Sequence, residues 1–392
     1  MQFASRVLTQ NIDVSFVVKQ FREVVKDCQL PNSEDAYLAR WLIARDFDIV
    51  KAEKMLRNSL EWRSQFKIDS VLNDDYKPPE VLTNYLSAGI VGQDKLLNPV
   101  WIVRYGKTDM KGILRSAKKM DFIMYYVYLV EGLIAKFAAD PKKYNRVPDA
   151  LVQSIIIFDL EGLSMQHVTN KKIIDLSIKL AKFYEANYPE YLHCAFAVNA
   201  PKIVSILITI MKPFLPEKTM SKVHIFSHDD KVWKAAILEH VNPDQLPVAY
   251  GGTLTDPDGN PNCITMVNMG GKVPKSYYFS YKNDTTNKKS LSIPKDSKEQ
   301  LEFQVKKAGS ILKWDFHLEE GDIAFAVYRM EGSEFISIVP PNRVDCDMST
   351  EEGEIRCDEP GVYIVEFDNN ANTRSKKIWY AISVVDSINP ID

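Results

Sequence analysis

The sequence predicts a multidomain chain: an N-terminal helical unit, then an α/β domain, then an all-β sandwich. Three observations carry this. Strand-like and helix-like segments alternate over residues 80–250, which is the pattern of a layered, partly parallel α/β fold. A stretch dense in Gly, Pro, Asn and Asp follows at 251–274 (GGTLTDPDGNPNCITMVNMGGKVP). Beyond it the apolar period changes from about 3.6 to 2. The expected boundaries are 1–74 for the helical unit, 75–250 for the α/β domain, 251–274 for a linker and 275–386 for the sandwich.

In the helical unit, Val14, Val17, Val18, Phe21, Val24 and Val25 form one stripe. Asn32 and Ser33, followed by Glu34 and Asp35, predict the start of a second helix with Leu38, Trp41 and Leu42 inside. A third helix is expected from about Val50 to Phe66. Pro78 and Pro79 then punctuate the chain.

In the α/β region, Val100–Tyr105, Ser154–Phe158, Ala195–Val198 and Val223–Phe226 read as strands. Lys118–Phe137, Lys171–Ala186 and Val232–Glu239 read as helices between or after them. In the sandwich, Leu301/Phe303/Val305, Trp314/Phe316/Leu318, Ile323/Phe325/Val327 and Ile378/Tyr380/Ile382/Val384 alternate cleanly. Val362 and Ile364 alternate too, with a slip before Phe367.

One stretch stands apart. In NAPKIVSILITIMKPFLPEKTMSK (Asn199–Lys222), Asn199 and Pro201 predict a helix start. Ile203, Val204, Ile206, Leu207, Ile208, Ile210 and Met211 then follow with only Ser205 and Thr209 among them. The helix is apolar nearly all round. It spans about 14 Å against a hydrocarbon core of about 30 Å, so it is too short to cross a bilayer. Either it is a core helix buried on every side, or part of it meets something oily that is not always present.

Composition bounds the function. A content of 45% hydrophobic and 26% charged residues in 392 is that of a globular chain with real cores. A net charge of −3 gives no field for nucleic acid. The N-terminus lacks a signal-peptide layout, and no apolar run reaches 18 residues. Five cysteines (Cys28, Cys194, Cys263, Cys346, Cys357) suit reduced thiols and a cytoplasmic chain, with a Cys346–Cys357 pair left open. No G-x-S-x-G, H-E-x-x-H, C-x-x-C or phosphate-loop pattern occurs. The Asp256–Asn260 run puts its glycine in the wrong place for a calcium loop and reads as a turn. Asp159 and Glu161 read as the end of a strand rather than an acid–base pair. The expectation is a non-enzyme with no cofactor and no metal.

The runs YLARWLIARDFDIVKAEKML (37–56), FDLEGLS (158–164), NYPE (187–190), NAP (199–201), KPFL (212–215) and LPVAYGG (246–252) resemble the CRAL-TRIO, or Sec-fourteen-like, lipid-transfer family. The sandwich and the segment before it resemble the subgroup carrying a GOLD domain. The resemblance implies a cavity for one hydrophobic lipid, of the tocopherol, squalene, retinoid or phosphatidylinositol class. It implies a floor including Ser154, Ile156 and Phe158, and a mobile gate over Ile203–Leu215, with Phe214 and Leu215 among its lipid contacts. Sheltering a chain of roughly 16 carbons takes on the order of 12 kcal/mol of apolar contact. Arg45, Glu190, Thr219 and Lys222 carry over from the family's phosphatidylinositol head-group site. Tyr191 stands where the family's yeast phosphatidylinositol/phosphatidylcholine transfer protein has Arg, and Ile156 replaces a phosphate-binding hydroxyl. An apolar cargo is therefore favoured over a choline lipid. The implied partners are the lipid, a transient membrane surface and a protein bound through the GOLD domain. The alternatives are a lipid-sensing adaptor at Golgi or other membranes and an activator of a membrane sterol-synthesis enzyme. Lys107, Lys111, Arg115, Lys118 and Lys119 form either a patch for anionic membrane or a solvated face.

Overall fold

The computed structural model describes residues 13–73, 76–139, 153–279, 287–319, 321–332, 334–345, 350–370 and 372–385. Its described residues divide into two compact units. One runs through Ile113 and resumes from Lys119 to Val273; the other joins Leu114–Lys118 to the chain after Pro274.

The first unit opens with α1 (Val14–Val24), α2 (Asp35–Ala44) and α3 (Ile49–Gln65). Asp13 caps α1 by accepting from the Ser15 and Phe16 amides, and Asp48 caps α3 through the Lys51 amide. Asn32 instead accepts from the Glu34 amide, so α2 begins at Asp35, later than the Asn32–Ser33 pair suggests. Val18, Phe21, Val25, Leu38, Trp41, Leu42 and Leu56 fill the core between the three helices. Arg63 of α3 binds Glu131 at 2.7 Å, and the Tyr188 hydroxyl donates to the same carboxylate at 2.8 Å.

Next come α4 (Glu80–Tyr85), β1 (Ala88–Gln93), β2 (Pro99–Val103), α5 (Met110–Leu114) and α6 (Lys119–Ala139). They are followed by β3 (Ser154–Asp159), α7 (Met165–Thr169), α8 (Lys171–Asn187), β4 (Leu192–Val198), α9 (Val204–Met211), α10 (Glu217–Met220), β5 (Val223–Ile225) and α11 (Asp230–His240). The sheet order is β1-β2-β3-β4-β5, with β1 antiparallel and the rest parallel. β1 and α4 carry too weak an apolar pattern to have been read from sequence. Val100, Ile102, Ile155, Ile157, Cys194, Phe196 and Val198 point to one face of the sheet, where Trp233 and Ile237 of α11 cover them.

The stretch 251–274, which composition marks as a linker, is not a loose tether. Cys263, Val267 and Val273 are buried, and Val267 forms a bridge with Gly89 beside β1. Gly89 has no room for a Cβ, because the Met266 carbonyl oxygen lies 2.0 Å from where it would sit. Turn-rich composition reports local backbone freedom, not whether a segment docks.

The second unit holds two four-stranded antiparallel sheets, ordered β10-β9-β12-β7 and β11-β8-β13-β6. Their strands are β6 (Lys289–Ile293), β7 (Lys298–Val305), β8 (Ser310–Leu318), β9 (Asp322–Glu331), β10 (Glu334–Asp345), β11 (Glu351–Cys357), β12 (Gly361–Asp368) and β13 (Lys376–Val385). Phe316 is the hinge of the core, 4.9 Å from Phe325 and 4.8 Å from Phe367 between ring centroids. One alternation departs from the sequence expectation. On β12 the residues facing this core are Tyr363, Val365 and Phe367, and the register against β7 runs without a slip. Ile364 is buried on the opposite face, so both parities of the strand are apolar and the period alone is ambiguous. Cys357 is a free buried thiol, whereas Cys346 lies outside the described residues.

Candidate functional site

The site is built on the sheet face opposite α11. β-Strand alternation sends Ser154, Ile156 and Phe158 to that face while Ile155 and Ile157 enter the core. Ile156 lies in register with Trp101 of β2 and Ala195 of β4, and Phe158 with Val103 and Ala197. Ser154 is buried, but Ile156, Phe158 and Trp101 are only half-buried. Ala195 and Ala197 of β4 are both buried, and Ala197 packs against Leu160, Leu163 and Val204.

α9 closes over the C-terminal end of this face. Ile203, Val204 and Ile208 pack with Tyr105, Phe158, Leu160, Leu163 and Ala197. This anchors only the first turns. Of the predicted gate residues Val204 alone is fully buried; Leu207, Ile208, Ile210, Met211, Phe214 and Leu215 are half-buried, and Ile206 is 42% exposed. The helix's polar side chains do not offset this. Ser205 donates back to the Lys202 carbonyl and Thr209 to the Ser205 carbonyl, so both hydroxyls are spent on the backbone. A helix apolar on every side thus buries one side chain completely. A plain core helix, the alternative reading, would bury most of them.

The helix begins later than expected. Asn199 does not cap it but adopts a left-handed conformation (φ 54) and donates to Asp159 at 3.0 Å. The Tyr250 hydroxyl donates to the other Asp159 oxygen at 3.0 Å, and the Glu161 amide to the first at 3.1 Å. Asp159 therefore ties the ends of β3 and β4 together, and a turn through Pro201–Ile203 leads into α9. After Met211, a single 3₁₀ turn at Lys212–Phe214 ends the apolar run, and Lys182 of α8 sits 4.7 Å above the Phe214 ring.

Tyr105, which the sequence reading did not single out, packs with Phe158 at this face. The Tyr105 hydroxyl is buried, and burial pushes its phenol above the usual range. Tyr126 and Tyr184 retain accessible surface, yet desolvation pushes both phenols well above the usual range.

The predicted head-group residues are partly brought together. The Glu190 carboxylate binds Lys222 at 3.0 Å and also Lys218 at 2.5 Å. Lys218 donates further to the Ile43 carbonyl of α2, and Lys222 to the Leu192 carbonyl. Thr219 is turned to Glu185, at 2.6 Å, rather than to this cluster. Arg45 ends α2 and donates to the adjacent Ala44 carbonyl. Arg40 reaches inward instead, donating to the Glu190 carbonyl at 2.9 Å and lying 3.8 Å over the Tyr191 ring. Lys218 was legible in principle, because it stands four residues before Lys222. Arg40 was not, since an arginine on an apolar face reads as an interruption.

Burial alone would push the Glu190 carboxyl up, but hydrogen bonds and charge from Lys218 and Lys222 outweigh it and hold the carboxyl below the ordinary value of 4.5. A depressed folded-state pKa stabilises the fold above the unfolded value and is lost as pH falls through the folded one. Glu190→Gln should therefore cost about 1–2 kcal/mol at pH 7, with the gap to wild type narrowing below roughly pH 4.5. Urea melts at the two pH values measure it; a gap that does not narrow would remove Glu190 as the titrating partner.

The CRAL/TRIO domain family matches residues 83–252. A protein of Aedes aegypti called Protein real-time is 30% identical over 326 residues, covering 80% of this chain and 48% of that protein. A CRAL-TRIO domain-containing protein of Caenorhabditis elegans is 29% identical over 311 residues, covering 76% and 41%. The chain thus spans less than half the length of these curated relatives. The crystal structure of Sfh5 superposes with a TM-score of 0.47 at 17% identity, over 64% of this chain and 88% of that one. Among the described residues no helix is long and apolar enough to cross a membrane.

Proposed function

Because residues 83–252 match the CRAL/TRIO domain family, we propose that this chain encloses one hydrophobic lipid above the β2–β4 face and exchanges it at membranes, without catalysing a reaction. The observation that carries this reading is α9. It is apolar all round, holds on through Ile203, Val204 and Ile208, and leaves Ile206 and its neighbours partly exposed. One side of such a helix can face a bound chain while the other enters the membrane surface as it swings. Each methylene kept from water is worth about 0.8 kcal/mol, so a half-buried apolar surface is better covered by cargo than left to solvent.

The Glu190 cluster supplies a site for an anionic head group. Two ammonium groups share one carboxylate, so the Lys218–Glu190–Lys222 triad itself carries one net positive charge. A lipid phosphate would compete with Glu190 for Lys218 and Lys222 by charge-assisted hydrogen bonds. An uncharged cargo such as a tocopherol, squalene or retinoid would leave the cluster paired as it is. In this reading, phosphatidylinositol and an apolar cargo bind at the same face but differ in their use of the Glu190 cluster.

Incubation of the protein with mixed liposomes, followed by native mass spectrometry, tests the proposal. One bound lipid per chain is expected, with labelled phosphatidylinositol, tocopherol or squalene moving between vesicles. If no lipid is retained and none moves, the carrier reading fails.

The sandwich favours a second role as a recruiting module. Strand β10 stands at the end of its sheet and exposes Phe335 and Ile338, which offer apolar contact to a protein partner. A GOLD-type assignment for this unit remains part of the proposal. The carrier reading expects lipid exchange in vitro to survive substitution of Phe335 and Ile338 by serine, with only partner capture lost.

A further inference from the structure

We propose that His193, Cys194 and His240 form a binding site for a thiophilic divalent ion of the zinc type, separate from the lipid-facing side of the sheet. One ligand atom from each residue lies within 4.8 Å of the other two. Imidazole, thiolate and imidazole are a borderline-soft donor set suited to zinc, with a fourth position left for water.

Neighbouring residues on a regular strand point to opposite faces, so His193 and Cys194 should not converge. They do so at an irregularity. The β3–β4 register pairs Ser154 with Leu192 but Ile155 with Cys194, so His193 is the extra residue of a bulge. Bulges re-aim side chains, and this one brings the histidine round to the cysteine. His240 arrives from the last turn of α11. Its backbone is pinned there, because the Lys95 amide donates to the His240 carbonyl at 2.8 Å and Asp94 bridges to Val241.

The hydrogen bonds also settle which nitrogen is free. The Gln153 side-chain nitrogen donates to the Glu190 and Leu192 carbonyls, which directs its oxygen toward His193. That oxygen lies 3.3 Å from His193 Nδ1, so Nδ1 carries the proton and Nε2 presents a lone pair. An outer hydrogen bond that fixes the tautomer of a ligating histidine is a usual feature of metal sites. Cys194 is 5% exposed, while the two histidines are half-buried and give an ion access.

Bonds of about 2.0–2.3 Å place tetrahedral ligand atoms roughly 3.5 Å apart. Closure from the present spacing therefore requires shifts of about 1 Å, within reach of the two half-buried rings. Binding converts the Cys194 thiol to a metal-bound thiolate and releases one proton to solvent. Lys222, bound to the adjacent Leu192 carbonyl, opposes the cation, whereas the buried Asp94 favours it. The ion would clamp the bulge of β4 to the end of α11.

Titration of the full chain with Co²⁺ and with Zn²⁺, under a non-thiol reductant, tests this. One equivalent of Co²⁺ should give thiolate-to-metal charge-transfer absorption that Zn²⁺ abolishes. The absorption should vanish in Cys194→Ser and persist in Cys28→Ser, and His240→Gln should weaken binding at least tenfold. The melting temperature should rise with Zn²⁺ in wild type and stay constant in Cys194→Ser. Metal-free melts of each variant establish that it is folded. Absence of stoichiometric binding to wild type, or a charge-transfer band that survives in folded Cys194→Ser, overturns the proposal.

Discussion

Ile206→Asp is expected to slow lipid transfer between vesicles about a hundredfold while leaving the protein folded. Inserting an aspartate among apolar helix residues in a membrane costs about 2.5–3.5 kcal/mol, and each 1.4 kcal/mol is a factor of ten. Ile206 is the most exposed apolar side chain of α9, so its replacement removes little packing from the protein itself. The effect should fall on exchange for every cargo, because it acts at the membrane step and not on recognition. Transfer assays with two chemically different lipids, together with a thermal melt, measure this. Unchanged transfer in a folded Ile206→Asp variant would mean that α9 does not meet the membrane. By contrast, substitution at buried Val204 should lower stability first, because that residue anchors the helix to Leu160, Leu163 and Ala197.

Lys222→Ala is expected to reduce phosphatidylinositol transfer by about ten- to a hundredfold, from the loss of a charge-assisted hydrogen bond worth about 1.5–3 kcal/mol. Transfer of an uncharged cargo should change by no more than about threefold, since such a cargo does not call on the ammonium group. Glu190 keeps Lys218 as a partner in the variant, so the carboxylate is not left buried alone. Parallel assays with labelled phosphatidylinositol and labelled squalene separate the cases. Equal loss of both would show that Lys222 supports the fold through Leu192 and Glu190 and does not read the head group.

These two predictions rest on features that were unequally legible. The apolar run of α9 is visible in the chain because a composition with two polar residues in nine needs no partner to be noticed. Its beginning was not visible. Asn199 has the chemistry of a cap, and only the nearness of Asp159, 40 residues away, diverts its amide. The head-group residues show the same division. Glu190 and Lys222 can each be named from a family resemblance, but 32 residues separate them, and their ion pair exists only through the fold. Lys218 and Arg40 belong to the cluster for the same reason.

By itself the sequence determined the order of the three parts, the strand and helix types within them, and the presence of one helix too apolar for its length. Those properties follow from periodicity and composition, which act over a few residues. Tertiary structure alone decided which apolar residues stay uncovered, which lysines share a carboxylate, and which parity of β12 faces the sandwich core. It also decided that a one-residue bulge turns His193 toward Cys194 and that the turn-rich stretch after Gly251 docks on the sheet. The physical reason is common to all of them. Burial, ion pairing and convergence of ligands depend on distances between residues far apart in the chain, and local pattern carries no information about those distances.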